Sequence, residues 1–271
     1  MAGDRHSEGT AGGGRTLADR LVAAGVSDGA GPWDAWLQLR AAEGNRATLI
    51  DLYELVAASQ DVAAHELPAA TRLSLARQAM AQTWPGFAVT EGSDRPRAPL
   101  VVVGYDPAWP QAYDRWRQRA AAALGHTALR IEHVGSTSVP ALAAKPIVDI
   151  QVSVADLGGE PRYVPPLQAI GLELRSRDEL HRFLRPPAGQ PHEVHVHVCA
   201  ASGQLERDHL LFRDYLRAHR AACLLYAEAK RASARRWSDD GWAYTEAKTG
   251  IILDILEQAE EWAAATNWAA P

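Results

Sequence analysis

Cysteine is nearly missing: Cys199 and Cys223 are the only two in 271 residues, and their spacing fits neither a disulfide framework nor a structural zinc site. A reducing setting is expected. Long apolar runs are missing as well. No stretch approaches the ~18–20 residues needed to span a bilayer, and the opening MAGDRHSEGTAGGGR has no signal-peptide core. The expectation is a cytoplasmic protein with no membrane partner and a disordered leader over residues 1–15. A basic excess is the third absence. The formal net charge of -5 argues against a nucleic-acid partner bound through a broad positive face, while leaving room for a local anion site.

What is present is 47% hydrophobic residues, enough for one large or two modest cores. From Thr16 to about Trp84 the pattern is helical. Thr16 and Asp19 form a potential capping box, Gly25 ends that segment, and Pro32 suits a first helical position before Trp33, Trp36 and Leu37. Asn45 can cap a helix carrying Leu49, Leu52, Tyr53 and Val56, and another helix runs from Pro68 through Leu73, Ala76 and Met80. A helical accessory module over residues 16–90 is the reading, with no cluster of catalytic residue types. EGSDRPRAP, residues 91–99, suits a linker. A second domain is expected over residues 100–265. In it Leu100 to Pro107 reads as a strand into a turn, and Trp109 to Leu124 as a helix stopped by Gly125. Strands are expected at Leu129–Val134, Pro146–Val154, Leu172–Arg175, His181–Leu184 and Glu193–Val198, and helix from Asp208 onward. No internal repeat is evident. Strands interleaved with helices, then a helical tail, predict an α+β (α/β mixed) domain.

The chemistry concentrates in RIEHVGSTSVPALAAKPIVDIQV, residues 130–152. Gly135, Ser136, Thr137 and Ser138 sit at a strand's end, are poor core material, and offer backbone N–H groups and hydroxyls to a phosphate. On the next strand Asp149 and Gln151 share one face, so Asp149 could hold a divalent ion beside that phosphate. The rival role is an ion pair with Lys145 or an arginine. In Glu193-Val194-His195-Val196-His197-Val198 the alternation puts Glu193, His195 and His197 on one face, which is either a site or an exposed side opposite a valine core. On the tail His209, Arg213, Arg217 and Arg220 form one helical stripe, either a solvated face or a set of phosphate ligands. Tyr244 and Lys248 precede Ile252 and Ile255 on nearly the same face, so Lys248 should point toward the domain, and Arg185 closes a strand where it could line the cleft.

A glycine-serine turn followed by Asp149 resembles the signature of the nucleotidyltransferase superfamily. More closely, YDPAWP, IEHVGSTSVPALAAKPIVDI, HVHV, LLFRDYLRAH and AYTEAK are similar, in order, to the GrpB family, over roughly residues 101–256. The resemblance implies a nucleotidyltransferase-like mixed sheet flanked by helices, here with an N-terminal all-α module, and a magnesium or manganese ion held by carboxylates. Asp149, Gln151 and Glu193 stand where those ligands belong, with Gln151 neutral where the superfamily has a second acid. The function expected is a metal-dependent nucleotidyltransferase. It would bind a nucleoside triphosphate through Gly135, Ser136, Thr137, Ser138, Lys145, Arg185, Arg213, Arg217, Tyr244 and Lys248, with Asp149, His195 and His197 as catalytic groups and an acceptor hydroxyl as the second substrate. The alternative is a non-catalytic module for a nucleotide or other phosphorylated small molecule, acting through a protein partner on the N-terminal helices. A metal-dependent phosphohydrolase using the histidine face is a third.

Overall fold

A computed structural model describes residues 15–84, 86–89 and 100–271; the expected linker at 91–99 and all but the last residue of the expected leader lie outside them. The chain divides into two compact units between Glu66 and Leu67. In the first, helices α1 (Leu17–Ala23), α2 (Pro32–Glu43) and α3 (Leu49–Ala58) begin where local chemistry starts them. The Thr16 hydroxyl accepts from the Asp19 N–H while the Asp19 carboxylate accepts from the Thr16 N–H, and Pro32 opens α2. Asn45 does not cap α3. Thr48 does, with Asp51 as its reciprocal partner, and Asn45 lies in a 3-10 turn. Trp36, Leu39, Leu49, Leu52 and Tyr53 are buried, and Arg20 ties the unit together through Glu43 at 2.6 Å and Asp51 at 2.7 Å.

Helix α4 (Ala69–Thr83) belongs to the second unit, so the helical stretch expected as one module over 16–90 is shared between the two. Its buried Arg72 donates to Asp239 at 2.6 Å and to Asp240 at 3.1 Å. The remaining elements follow as β1 (Ala88–Val89), α5 (Trp109–Leu124), β2 (Arg130–Val134), β3 (Val148–Val154), α6 (Val164–Ala169), β4 (Glu173–Arg177), β5 (His181–Arg185), β6 (Val194–Ala200), α7 (Gln204–Ala218), α8 (Arg220–Arg236), α9 (Gly241–Glu246) and α10 (Thr249–Thr266). Six strands form one mixed sheet in the order β1-β4-β5-β6-β3-β2, in which β3 and β6 run parallel and the other pairs antiparallel. Leu100 to Pro107 forms no strand; one bridge from Val103 to Ala144 is all that pairs there.

The central strands separate their residues by face. Val148, Ile150, Val152, Val154, Val194, Val196 and Val198 point into a core with Trp109, Trp116, Ala120 and Leu124 of α5 and Val164 and Leu167 of α6. Each such aliphatic side chain contributes about 1.5–3 kcal/mol when fully buried, which fixes the register and so turns the intervening polar residues to the other face. A second core joins Val139, Leu142 and Ala143, which follow β2, to Leu211, Tyr215 and Leu216 of α7, Tyr226 and Ala227 of α8, and Ile255 and Ala259 of α10. This brings the helical tail to the polar side. No helix among the described residues is long and apolar enough to cross a membrane.

Candidate functional site

The parallel pairing of β3 with β6 sets Asp149 beside His195 and Gln151 beside His197. On that polar face Asp149 Oδ1 lies 3.0 Å from His195 Nδ1 and 3.5 Å from His197 Nε2. More imidazoles surround these three. His192 Nε2 is 2.8 Å from His195 Nε2, and His181 Nε2, brought in by β5, is 3.0 Å from His197 Nδ1. His209 on α7 shares a 2.9 Å hydrogen bond with Gln151 Oε1. Burial pushes the Asp149 carboxyl up, but hydrogen bonds and charge from His195 and His197 outweigh it and hold it well below the usual carboxylate range. Burial pushes His195 and His181 down and His209 down to about 3. One carboxylate thus sits among imidazoles, of which burial favours the neutral form of His181, His195 and His209.

The turn after β2 closes over this carboxylate. Gly135 has φ +65°, and a Cβ there would stand 2.4 Å from Asp149 Oδ2, so both backbone conformation and space demand glycine. Ser136 to Ser138 form one 3-10 turn. Two of its hydroxyls brace the turn: Ser138 Oγ donates to Gly135 O at 2.6 Å, and Thr137 Oγ1 meets His133 Nε2 at 3.0 Å. Thr137 and Ser138 are buried bracing groups. Gly135 and Ser136 remain half-buried beside Asp149.

Three lysines meet near that turn. Lys145 and Lys248 place their ammonium groups 4.7 and 4.1 Å from the Tyr244 ring, and Lys230 lies 4.6 Å from the Tyr226 ring. Burial, with the like charge of Lys248 next, pushes Lys230 down to about 7. Burial, with the like charge of Lys145, does the same to Lys248, and Lys145 is also lowered by burial, with Asp149 opposing the shift and Arg185 adding to it. Among the described residues no carboxylate lies within ion-pair distance of any of these three ammonium groups. An anionic ligand would supply the missing charge.

Sequence reasoning placed Lys145, Arg185, Tyr244 and Lys248 here and missed Lys230 and Tyr226. The signal was available: YAEAK at 226–230 and YTEAK at 244–248 are nearly the same pentapeptide, each setting a lysine one helical turn after a tyrosine. The cationic stripe on α7 goes elsewhere. Arg213 is buried and donates to Glu132 at 2.7 Å, Asp214 at 2.7 Å and His133 O at 3.2 Å; Arg217 grips Ser138 O at 2.8 and 3.1 Å. Both clamp β2 and the turn, lining with Tyr113, Glu132 and His133 an open cleft of about 470 Å³. Arg220 leaves the stripe because α7 ends at Ala218. Glu193 precedes the first residue of β6 and so escapes its alternation; its Oε1 accepts from Trp116 Nε1 of α5 at 3.3 Å, away from Asp149.

The donor set does not suit magnesium, the ion that the nucleotidyltransferase resemblance implies. Magnesium is bound through carboxylate, phosphate and water oxygens, whereas the structure offers one carboxylate and two imidazoles. Gln151 Oε1 is engaged by His209, and Glu193 is on the far side.

A mixed α+β sheet that sets a glycine-serine turn against one strand aspartate defines a nucleotidyltransferase-like domain. The chain belongs to the GrpB family, whose model matches residues 99–258. A UPF0157 protein of Streptomyces coelicolor is 45% identical over 155 residues, covering 57% of this chain and 81% of that one. A dephospho-CoA kinase of Mycolicibacterium paratuberculosis is 34% identical over 200 residues, 64% of this chain and 49% of that protein, so the chain spans about half of the kinase's length. The crystal structure of GrpB from Enterococcus faecalis superposes with a TM-score of 0.53 at 31% identity, over 60% of this chain and 99% of that one.

Proposed function

We propose that the second unit binds a nucleoside triphosphate, or a closely related phosphorylated molecule, and transfers its nucleotidyl group to an acceptor hydroxyl. The observation that carries this reading is the Gly135-Ser136 turn packed on Asp149, with the ammonium groups of Lys145 and Lys248 against the Tyr244 ring and that of Lys230 against the Tyr226 ring, where Lys230 also donates to Ala143 O. Oriented backbone donors and lysines without carboxylate partners are what a polyphosphate needs. In the transfer the acceptor oxygen forms a bond to the α-phosphorus, the bond from that phosphorus to the bridging oxygen breaks, and pyrophosphate leaves. The lysines offset the charge carried by the leaving group. The acceptor's proton passes to an imidazole of His195 or His197 or to solvent water, because the strongly lowered Asp149 carboxylate is a poor base.

Gln151 favours a second reading. With a neutral amide at that position and Glu193 turned toward Trp116, Asp149 is the one carboxylate grouped with His195 and His197 among the described residues, which suits a non-catalytic binding module that reports to a protein partner. Thermal unfolding against ATP, GTP, CTP, UTP and dephospho-coenzyme A, the last included because of the relatives named dephospho-CoA kinase, tests what both readings share. A ligand at about 100 times its Kd should add about 2.7 kcal/mol, and Lys248→Met should abolish that gain. Pyrophosphate release in the presence of an acceptor pool, lost in Asp149→Asn, supports transfer; stabilisation with no release supports the module. If none of the five stabilises the protein, the phosphate reading fails.

A further inference from the structure

The polar face holds more nitrogen donors than a phosphate site requires, and their arrangement is specific. His195 and His197 each aim one ring nitrogen at the same oxygen, Asp149 Oδ1, at 3.0 and 3.5 Å. The other ring nitrogen of each is held by a further histidine, His192 for His195 at 2.8 Å and His181 for His197 at 3.0 Å. Metal-ligating imidazoles show this pattern, because an outer partner fixes the tautomer and the ring plane while the inner nitrogen keeps its lone pair for the ion. The spacing also fits. Two atoms bound to one ion at about 2.0–2.1 Å lie about 3.0 Å apart in octahedral and about 3.4 Å apart in tetrahedral geometry. The 3.0 and 3.5 Å separations of the two imidazole nitrogens from Asp149 Oδ1 fall in this range, and the three residues form one group of metal-ligand type.

We propose that Asp149, His195 and His197 bind one divalent transition-metal ion of the zinc type, leaving at least one coordination position open toward the lysine pocket. Two imidazoles and a carboxylate suit zinc and its neighbours, and an ion with three protein ligands keeps a position for water or substrate. This selects between the roles available to His195 and His197, making them metal ligands rather than proton acceptors. Gln151 becomes an outer residue that fixes His209, whose ring packs 5.7 Å from His197. The two cysteines take no part: both are buried, Cys199 within the sheet and Cys223 in the second core.

The full-length chain, stripped with a chelator, should be titrated calorimetrically with Zn2+, Mn2+ and Mg2+ separately and without nucleotide. One Zn2+ per chain is expected, with Mg2+ giving no matching isotherm. His181→Ala, which removes an outer partner, should weaken Zn2+ by roughly 10–100-fold, and His195→Ala or His197→Ala should weaken it further. Zn2+ that fails to bind, binds the His195 and His197 variants as tightly as wild type, or is matched by Mg2+ overturns the proposal. Should those variants not fold by circular dichroism, the visible spectrum of the Co2+-loaded wild type decides. Nitrogen and oxygen ligation without a thiolate charge-transfer band is expected, and a strong thiolate band would place the ion at a cysteine and overturn the assignment. Because nucleotide is absent, failure here leaves the lysine-pocket reading standing, and failure of that reading leaves this one standing.

Discussion

At the scale of single residues, the site's chemistry depends on groups kept away from their ordinary charge states. Lys230 and Lys248 sit near 7 in the folded protein, against about 10.4 in an unfolded chain. Between those values the unfolded chain binds protons that the native state does not. Their contribution to stability is therefore complete above about pH 10 and is lost as pH falls toward about 7. Ligand binding runs the opposite way, since a phosphate anion needs protonated ammonium groups. Affinity for tripolyphosphate, measured calorimetrically from about pH 6 to about pH 9, should fall as pH rises through neutrality. Lys230→Met should weaken binding throughout and flatten that dependence. An affinity that does not change across the range would remove these two lysines from the binding set.

At the scale of elements, α7 presents two kinds of arginine, and the difference predicts their energetic weight. Arg213 is buried against Glu132 and Asp214 and reaches a β2 carbonyl. Truncating it leaves Glu132 without its cation, while Asp214 keeps Arg217 at 3.4 Å, a loss of about 3 kcal/mol. Arg207 pairs with Glu260 on the surface, both side chains well exposed, and its removal should cost less than about 1 kcal/mol. Urea unfolding of Arg213→Ala and Arg207→Ala distinguishes the two; equal losses would mean that Arg213 does not clamp β2. This also explains what could be read in advance. The β3 and β6 strands, the α5 boundaries and the Asp149, His195 and His197 face were legible because two-residue alternation and helix punctuation are local properties. The destinations of Arg213, Arg217, Thr137 and Ser138 were not, because helical spacing tells which residues share a stripe and says nothing about which acid or carbonyl waits opposite. Glu193 misled for a related reason: alternation was extended one residue beyond the start of the strand. Lys230 was hidden among the other cations of α8, although its spacing from Tyr226 repeats that of Lys248 from Tyr244.

At the scale of the whole molecule, the family match begins at residue 99, whereas the second compact unit begins at Leu67. The stretch between these two points is not spare length. Arg72 of α4 pairs with Asp239 and Asp240, and Asp240 in turn caps α9 by accepting from the N–H groups of Trp242 and Ala243. Tyr244, against which Lys145 and Lys248 rest, lies in that short helix. Phe87 adds an edge-on contact to Trp242, and β1 extends the sheet beyond β4. A chain cut to start at residue 99 keeps every residue of the family match yet removes Arg72 from Asp239 and Asp240, which lowers stability and loosens the helix that positions the lysines. A chain cut to start at Leu67 keeps the clamp. Thermal unfolding and tripolyphosphate titration of residues 67–271 and 99–271 should therefore differ: the longer form retains both stability and affinity, and the shorter form melts earlier and binds more weakly. Equal behaviour of the two would mean that α4 has no part in holding α9, and that the family-matched segment carries the site unaided.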